Sequence, residues 1–349
     1  MKKLWKGNEA IAEAAIAAGC RFFFGYPITP QNEIPEYLSW RMPEVGGTFI
    51  QAESEVSAIN MVYGAAGAGA RVMTSSSSPG ISLKTEGISY CAGAELPCVI
   101  VNISRAGPGL GGISPAQGDY YQAVKGGGHG DYRCLVYAPN TVQELTNITV
   151  KAFDKADEYR NPVMIIGDGL LGQMMEPAEI PPMRDLKTLP KKPWASTGNS
   201  TYTQNLIDSI KISPDDLERH CQKLDAKYKL MKKDVEVETY LTDDAEVVLV
   251  AYGSVSRITK AAVNSLREAG VKAGLIRPIT LYPFPSDTIA KVAAQKSVKR
   301  LIAVELSMGQ MIEDVKLAVN GAKDVEFFGR SGGVVMVPDE IVNFVKGGK

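Results

Sequence analysis

The sequence predicts an α/β protein built from two parallel-sheet units that are joined by an irregular arm. Short apolar strands alternate with helical patterns, which is typical of parallel sheets covered by helices. A proline-rich interval interrupts this alternation, which then resumes. The length of 349 residues suits two domains, and 45% of the residues are apolar, which is ample for packed cores. We expect the first unit over residues 1–180, the arm over 181–243 and the second unit over 244–349.

The first half of the first unit is predicted from glycine stops and small residues. A helix is expected over Asn8–Gly19, where the glycine ends it, and strands are expected over Arg21–Gly25 and Gly47–Ala52. The next helix, Ser54–Ala68, is rich in alanine and glycine, so its neighbours must pack close to it. Strand Arg71–Thr74 then leads into a run of four serines.

The second half of this unit contains its most apolar strand. Pro79 and Gly80 suit the start of a helix over Ile81–Ala94. Pro97–Ile103 is continuously apolar, as expected of a strand covered on both faces. The remaining expected elements are strand Cys134–Tyr137, helix Val142–Tyr159 and strand Val163–Gly167.

The arm and the second unit differ in composition. Prolines punctuate the chain from Pro177 to Pro193, and a charged, partly helical segment follows. Strands and helices then alternate again. The expected elements are strand Glu246–Ala251, helix Ser256–Ala269, strand Val271–Ile276, a helix from Ser286, strand Arg300–Glu305, helix Gly309–Val319 and strand Val325–Phe328.

The charge balance argues against nucleic-acid or anionic-membrane binding. Lys and Arg number 38 against 39 Asp and Glu, so the net charge is −1. No apolar run reaches the roughly 20 residues of a membrane span. The first residues lack the apolar core of a signal peptide, and a cytoplasmic location is therefore expected by default.

The cysteines and histidines do not predict a metal centre. None of the five cysteines forms a C-x-x-C pair, and the sequence has only two histidines. We therefore predict no metal site on this chain, and no zinc site or iron–sulfur cluster built by it alone. A redox cofactor, if the function needs one, would come from a partner.

Two loops combine a hydroxyl and a carboxylate at the carboxyl ends of two expected strands. Thr29 follows the first strand and Glu55 follows the second. Open α/β sheets bind ligands at this edge, and a carboxylate there suits a group that exchanges a proton with a bound cofactor. Glu53 is an alternative to Glu55. The simpler interpretations also stay open: Thr29 as a helix cap and Glu55 as an acid favoured by the helix dipole.

Arg105 and His129 are further candidates. Arg105 ends the apolar strand and is followed by a glycine-rich loop that lets a ligand approach, which suits a planar carboxylate. The alternative is a surface arginine in a turn. His129 lies in the sequence GGGHGD, where the neighbouring glycines leave room for it to line a site. This glycine run is a weak phosphate-loop signal because it opens no convincing helix.

The sequence Gly167-Asp168-Gly169 is similar to a known metal–diphosphate signature, in which an asparagine follows some thirty residues later. Asn199 stands at roughly that distance. The intervening segment is broken by prolines and offers no crossover that would return Asn199 to the loop. We therefore favour a tight turn that ends the last strand.

The chain resembles the alpha subunits of 2-oxoacid:ferredoxin oxidoreductases. Five segments carry the resemblance: GYPITPQNEIPEYL, QAESEVSAINMVYGAAGAGARVMTSSSSPGISL, ELPCVIVNISRAGPGLGG, GGGHGDYR and NPVMIIGDGLLGQMMEP. In the second unit, VVLVAYGS and RPITLYPFP are similar to the transketolase C-terminal-like domain of the same subunits. The resemblance implies that residues 1–180 form a pyrimidine-binding-type thiamine diphosphate domain.

The resemblance also implies roles for particular residues. Glu55 matches the family's Ser-Glu step, so it is the candidate that hydrogen-bonds N1′ of thiamine diphosphate. Tyr26, Pro27 and Ile28 lie in the same motif and are cofactor-binding candidates. Thr29 and Arg105 match positions that face the carbonyl and carboxylate of the 2-oxoacid. His129 is kept as a substrate-binding candidate.

The implied complex divides the work among several subunits. A beta subunit would hold Mg²⁺ and the diphosphate, an iron–sulfur subunit would carry the clusters, and a gamma subunit and ferredoxin would complete the partners. Coenzyme A and a 2-oxoacid would be the substrates. The resemblance is closest to the 2-oxoisovalerate (3-methyl-2-oxobutanoate) members. The 2-oxoglutarate members are similar in the same motifs, and a non-catalytic scaffold subunit is the alternative from another class.

Overall fold

The computed structural model describes residues 2–198 and 205–347. The strands are β1 (Lys3–Lys6), β2 (Phe22–Gly25), β3 (Thr48–Gln51), β4 (Val72–Ser76), β5 (Cys98–Ser104), β6 (Leu135–Tyr137), β7 (Pro162–Asp168), β8 (Met175–Ala178), β9 (Val237–Tyr240), β10 (Val247–Val250), β11 (Ala273–Pro278), β12 (Thr280–Tyr282), β13 (Arg300–Glu305) and β14 (Val325–Gly329). The helices are α1 (Gly7–Ala17), α2 (Glu33–Glu44), α3 (Glu55–Gly67), α4 (Ser78–Gly93), α5 (Tyr120–Val124), α6 (Val142–Tyr159), α7 (Gly169–Gln173), α8 (Pro214–Met231), α9 (Gly253–Glu268), α10 (Ser286–Ala293), α11 (Met311–Val319) and α12 (Pro338–Val345). Short 3₁₀ turns cover Leu186–Thr188 and Lys232–Asp234.

The first unit is a seven-stranded sheet in the order β12-β6-β7-β5-β4-β2-β3. All of its strands are parallel except β12, which pairs antiparallel with β6. Helices α3 and α4 pack on one face, and α1, α2 and α6 pack on the other. The α/β class with parallel sheets is therefore confirmed for this unit.

The second unit is a five-stranded sheet in the order β14-β13-β10-β11-β9, in which only β9 is antiparallel to its neighbour. Strand β9 lies within the segment expected to be an arm. Strand β12 belongs by sequence to the second unit but extends the sheet of the first. One apolar core runs beneath both sheets, since Val62 and Ile100 of the first unit belong to the same buried cluster as Val248 and Leu301 of the second.

Polar contacts also join the two units. The side chain of Gln117 donates to the Tyr252 carbonyl (3.0 Å) and accepts from the Leu306 amide (3.1 Å). Arg277 of β11 binds the Glu144 carboxylate of α6 through both terminal guanidinium nitrogens, at 2.8 and 2.9 Å. The two units thus pack as one body around the loops that follow β5.

Several elements begin or end away from their expected positions. Helix α4 starts at Ser78, three residues before the expected Ile81, because the Asn102 side chain at the end of β5 accepts a hydrogen bond from the Ser78 amide (3.2 Å). Helix α2 and the antiparallel pair β1–β8 were not predicted. Helix α8 of the arm is attached to the first unit, because its Lys223 and Lys227 side chains both contact the Glu95 carboxylate.

Candidate functional site

The carboxyl ends of β2, β3, β4 and β5 meet at one edge of the first sheet, and the loops that follow them carry the candidate residues. Open parallel sheets bind ligands at this edge. Thr29 lies in the loop after β2, Glu55 opens α3 after β3, Ser76 ends β4, and Arg105 follows β5. The fold therefore brings the loops that follow β2, β3, β4 and β5 to the same edge of the sheet, as expected from the sequence.

Glu55 is the buried acid of the pair considered in the sequence. It is the first residue of α3, whose N-terminus is capped by the Ser54 hydroxyl, which accepts from the Ser57 amide (3.2 Å). Glu55 is only 6% exposed, whereas Glu53 is exposed. Among the described residues, no hydrogen-bond donor contacts the Glu55 carboxylate. A buried carboxylate in this position can accept a hydrogen bond from a ligand.

Gly80 of α4 packs closely against this carboxylate. A Cβ atom at Gly80 would lie 2.6 Å from Glu55 Oε1 and 2.0 Å from Ser76 Oγ, so any larger residue would collide with both. The hydroxyls of Ser76 and Ser77 are buried and have no hydrogen-bond partner within the described part of the chain. These unused polar groups belong to the loops at the ligand-binding edge of the sheet, where a ligand with its own donors and acceptors can satisfy them.

Thr29 and Arg105 are in direct contact. Arg105 donates from Nη1 to the Thr29 carbonyl (3.0 Å) and from Nη2 to the Leu110 carbonyl (3.1 Å). Its Nε is buried and finds no acceptor among the residues that the structure describes. The Thr29 hydroxyl accepts from the Asn32 amide group (3.3 Å). The guanidinium is therefore held in place by backbone carbonyls through two of its five N–H donors, and its buried Nε is among the donors that no described residue uses.

Apolar side chains stand exposed around the same edge. We define the edge patch as six residues, Tyr26, Ile50, Val56, Leu83, Leu110 and Ile113, which are between 37% and 82% exposed. Pro27 beside Tyr26 is exposed, and Ile28 is half-buried. Exposed apolar groups that rim a ligand edge are typical of a surface that another molecule covers.

His129 lies apart from this group. Its loop packs on α4, where Gly127 approaches Thr85 and Gly128 approaches Ser89. Ser89 is eleven residues beyond Ser78, which corresponds to about 16 Å along a helix. His129 is exposed. Its predicted contact with substrate stays a prediction that the arrangement of this chain does not favour.

Asp168 of the Gly-Asp-Gly sequence is committed to the fold. Its Oδ1 accepts from the Leu171 amide and caps α7, and its Oδ2 accepts from the Ser254 hydroxyl of the second unit. Burial raises the pKa of this carboxyl. Because both oxygens are used, this geometry does not favour a metal ligand, and Asn199 lies outside the described residues. Rather than ending in a simple turn, β7 leads directly into α7.

Sequence reasoning missed two polar residues of the site region. Asp119 accepts from the Ser78 hydroxyl (2.6 Å) and the Asn102 amide (2.8 Å), and burial raises its pKa. It lines a cleft of about 660 Å³ between the two units. Lys84 of α4 is fully buried. A lysine on the apolar face of a predicted helix was the available signal for Lys84, whereas nothing in the sequence pointed to Asp119.

Three of the five cysteines lie near one another, since the Cys98 side chain contacts that of Cys91 and the Cys134 thiol lies near Cys98. Cys20, Cys91, Cys98 and Cys134 are buried, and Cys221 is half-buried. Burial raises the pKa of the Cys20 thiol to about 12. The described residues contain no group of three or more His, Cys, Asp or Glu side chains that could hold a metal ion. Within the same residues, none of the helices is both long and apolar enough to cross a membrane.

Comparison with known families assigns the class of protein. The family "Pyruvate flavodoxin/ferredoxin oxidoreductase, thiamine diP-bdg" matches residues 13–243, and the family "Pyruvate:ferredoxin oxidoreductase core domain II" matches residues 245–341. The chain therefore belongs to the thiamine diphosphate-dependent 2-oxoacid:ferredoxin oxidoreductases, which are oxidoreductases of the EC 1.2.7 type.

Similar proteins narrow this assignment. The chain is 54% identical over 329 residues to ketoisovalerate oxidoreductase subunit VorB of Methanothermobacter thermautotrophicus, with 94% of this chain and 92% of the relative covered. It is 37% identical to 2-oxoglutarate synthase subunit KorA of Methanocaldococcus jannaschii, over 98% of both chains.

A solved structure is similar to the fold as a whole. The chain matches 2-oxoglutarate:ferredoxin oxidoreductase from Magnetococcus marinus, whose structure has 2-oxoglutarate, coenzyme A and succinyl-CoA bound, with a TM-score of 0.84 and 25% identity. The match covers 99% of this chain and 65% of that chain, so the solved protein contains a substantial further segment.

Proposed function

We propose that this chain is the alpha-type subunit of a complex that oxidatively decarboxylates 2-oxoisovalerate. The 2-oxoacid, coenzyme A and two oxidised ferredoxins would give the acyl-CoA, CO₂, one proton and two reduced ferredoxins. The 54% identity to a ketoisovalerate oxidoreductase subunit, against 37% to a 2-oxoglutarate synthase subunit, supports this choice of acid.

The observation that carries the proposal is the unpartnered carboxylate of Glu55. It is buried and packs beside Gly80 and the Ser76 side chain, and the buried hydroxyls of Ser76 and Ser77 have no partner in the described chain. These groups fit the aminopyrimidine ring of thiamine diphosphate, with Glu55 holding a proton at N1′. Tyr26, Pro27 and Ile28, in the neighbouring loop, would contact the ring or its linker.

Thiamine diphosphate, when bound, supplies the carbon nucleophile that attacks the 2-oxoacid carbonyl and accommodates the electron pair left by CO₂. The chain's own contribution is to position and orient. Arg105 would bind the substrate carboxylate through its unused Nε donor, because charge-assisted hydrogen bonds to a guanidinium fix a planar anion. Thr29, held beside Arg105, would donate its hydroxyl to the substrate carbonyl.

We further propose that partner subunits hold the remaining groups. Asp168 is occupied by Leu171 and Ser254, so a beta subunit would hold Mg²⁺ and the diphosphate. The edge patch would form part of the surface that this subunit covers. The iron–sulfur clusters would lie on another subunit, which passes electrons to ferredoxin, and a gamma subunit would complete the complex.

The test is an assay of the reconstituted complex with 2-oxoisovalerate, 2-oxoglutarate and pyruvate, measured as ferredoxin reduction dependent on coenzyme A. We expect kcat/KM to be highest for 2-oxoisovalerate. A higher kcat/KM for 2-oxoglutarate would show that the complex is a 2-oxoglutarate oxidoreductase instead. Full activity of a complex in which Thr29, Glu55 and Arg105 are all replaced would instead support a scaffold role.

A further inference from the structure

Lys84 is a fully buried lysine on the same face of α4 as Gly80, one helical turn further along. Its Nζ donates to the Thr74 hydroxyl (2.6 Å) and to the Ser75 carbonyl (3.5 Å). The Thr74 hydroxyl in turn donates to the Phe24 carbonyl (2.6 Å). The ammonium therefore lies against the end of β4, one helical turn beyond the glycine that packs against Glu55.

Both immediate partners of Lys84 are neutral. No carboxylate of the described residues lies within ion-pair distance of its Nζ. A buried cation without an ion pair is costly, and such groups are retained where a charge is needed. Lys84 is therefore an expensive feature of the core that hydrogen bonding to Thr74 alone does not explain.

One charged residue acts on Lys84. Burial lowers the pKa of Lys84 to about 7, and the negative charge of Glu55 acts in the opposite direction. Glu55 is the one titratable side chain of the described residues whose charge alters the pKa of Lys84. The geometry agrees with this influence, because Glu55 of α3 packs against Gly80 of α4, and Lys84 lies one turn beyond Gly80 on the same face of that helix.

We propose that Lys84 is a positioning residue that acts through Glu55, by supplying the buried positive charge that stabilises the Glu55 carboxylate when the shared proton resides on N1′ of the cofactor. This inference rests on the proposed function of Glu55. A cation beneath the carboxylate makes Glu55 a better proton donor to N1′, because the charge left on the carboxylate is compensated. A neutral residue at position 84 would leave that charge alone in an apolar site.

The first test needs no cofactor, and the titration itself is measured in chains that keep Lys84. The chain is labelled with [ε-¹³C]lysine, the Lys84 resonance is identified by its loss in Lys84→Met, and its chemical shift is titrated. We expect the titration midpoint of Lys84 to fall by about one pH unit or more in Glu55→Gln, since the opposing charge is gone. Glu53→Gln is the matched control, because Glu53 is exposed, and should leave the midpoint unchanged. Equal midpoints in wild type and Glu55→Gln would overturn the pairing.

The second test measures the consequence for the cofactor in the reconstituted complex. Exchange of the C2 proton of bound thiamine diphosphate is followed against pH for wild type, Lys84→Met, Lys84→Arg, Glu55→Gln and the double variant. We expect Lys84→Met to slow exchange about 10- to 100-fold and to remove the neutral-pH limb of the profile, and Lys84→Arg to restore part of the rate. The double variant should be no slower than Glu55→Gln.

The outcomes separate the two proposals. An unchanged pH profile in Lys84→Met, or equal further slowing by Lys84→Met in the presence and absence of Glu55, would overturn the positioning role. Exchange at the wild-type rate in Glu55→Gln would overturn the proposed function of Glu55, whereas the midpoint shift of Lys84 would still report whether the two charges interact.

Discussion

At the scale of single residues, the site is distinguished by polar groups that the fold buries and leaves unused. The Ser76 and Ser77 hydroxyls and Nε of Arg105 are buried without hydrogen-bond partners in the described chain, at the same sheet edge as the buried residue Glu55. Native proteins rarely leave such groups unsatisfied, because each one costs about 1–3 kcal/mol. Three of the buried unpartnered atoms of the described residues lie at this sheet edge, and we propose that a ligand satisfies them there.

Glu55→Gln should keep the fold and slow C2-proton exchange of bound thiamine diphosphate by about 100-fold or more in the complex. The amide has the shape of the carboxylate but cannot share a proton with N1′ in the same way. The measurement is hydrogen–deuterium exchange at C2 by NMR, with the exposed Glu53→Gln as control. If Glu53→Gln is slow and Glu55→Gln is normal, the two acids have been assigned the wrong way round.

Arg105→Lys should lower kcat/KM for the 2-oxoacid about 10- to 150-fold, the equivalent of losing one charge-assisted hydrogen bond. Lysine keeps the charge but loses the planar fork that binds the Thr29 and Leu110 carbonyls. The dissociation constant of thiamine diphosphate should change little. A variant that binds the cofactor weakly but processes the bound 2-oxoacid normally would contradict the substrate role.

Lys84 should also be visible in the pH dependence of stability. Its pKa is about 7 in the folded chain against 10.5 for an unperturbed lysine, so the unfolded chain binds more protons between these values. The contribution of Lys84 to the free energy of unfolding therefore rises with pH above about 7. Below about pH 7 Lys84 is charged, and the full cost of burying that charge lowers the stability.

The measurement is the free energy of unfolding of wild type relative to Lys84→Met at several pH values. We expect this difference to grow in favour of wild type by at most about 1.4 kcal/mol per pH unit between about pH 7 and 8.5. The buried tyrosines and cysteines are the same in both proteins, so their contribution to the pH dependence cancels in this difference. A difference that is independent of pH would show that Lys84 does not titrate in this range.

At the scale of elements, the close packing of α3 and α4 determines the site. Both helices are rich in small residues, and glycines of α4 sit against side chains of α3, with Gly80 facing Glu55 and Gly87 facing Ile59. The sequence predicted this closeness from the alanines and glycines of Ser54–Ala68. It did not predict the start of α4 at Ser78, which depends on Asn102 of a different strand.

Gly80→Ala should displace Glu55 or Ser76, because its Cβ would lie 2.6 and 2.0 Å from their side-chain oxygens. We expect weaker thiamine diphosphate binding and slower C2-proton exchange in the complex. Gly87→Ala is the matched control on the same helix. Its Cβ would meet the Ile59 side chain at 2.5 Å, so it should lower the melting temperature without a comparable effect on exchange. Similar losses of exchange in both variants would point to general destabilisation of α4.

Much of the fold could be predicted from the sequence, and the reason is physical. Apolar strands such as Pro97–Ile103 and the periodic helix Val142–Tyr159 are specified locally, and the latter was predicted to the residue. Strands β1, β8 and β12 form because of the strands that they pair with, so the local pattern of apolar and polar residues did not predict them. Glu55 was preferred to Glu53 from the resemblance to the family's Ser-Glu step, and nothing in the local sequence showed that Glu55 is buried and Glu53 exposed.

At the scale of the whole molecule, the chain supplies only part of the proposed chemistry. The described residues hold no group of three or more side chains that could bind a metal ion, four of the five cysteines are buried, and Asp168 is engaged within the fold. We therefore expect the anaerobically purified chain to be colourless, to lack stoichiometric iron and sulfide, and to be inactive without its partners. Absorbance spectra together with iron and sulfide analysis test this, with the reconstituted complex as the positive control. Stoichiometric iron in the chain alone would overturn the proposed division among subunits.

The exchange of β12 between the units has a consequence for how the protein can be divided. Residues 280–282 complete the sheet of the other unit, so a fragment that ended at 243 would leave the backbone edge of β6 open to solvent. Open edges of this kind recruit foreign strands and promote aggregation. A chimaera that takes the first unit from a homologue would therefore also need residues 280–282 from that homologue. A recombination point placed at residue 243 from the sequence alone would leave this strand out.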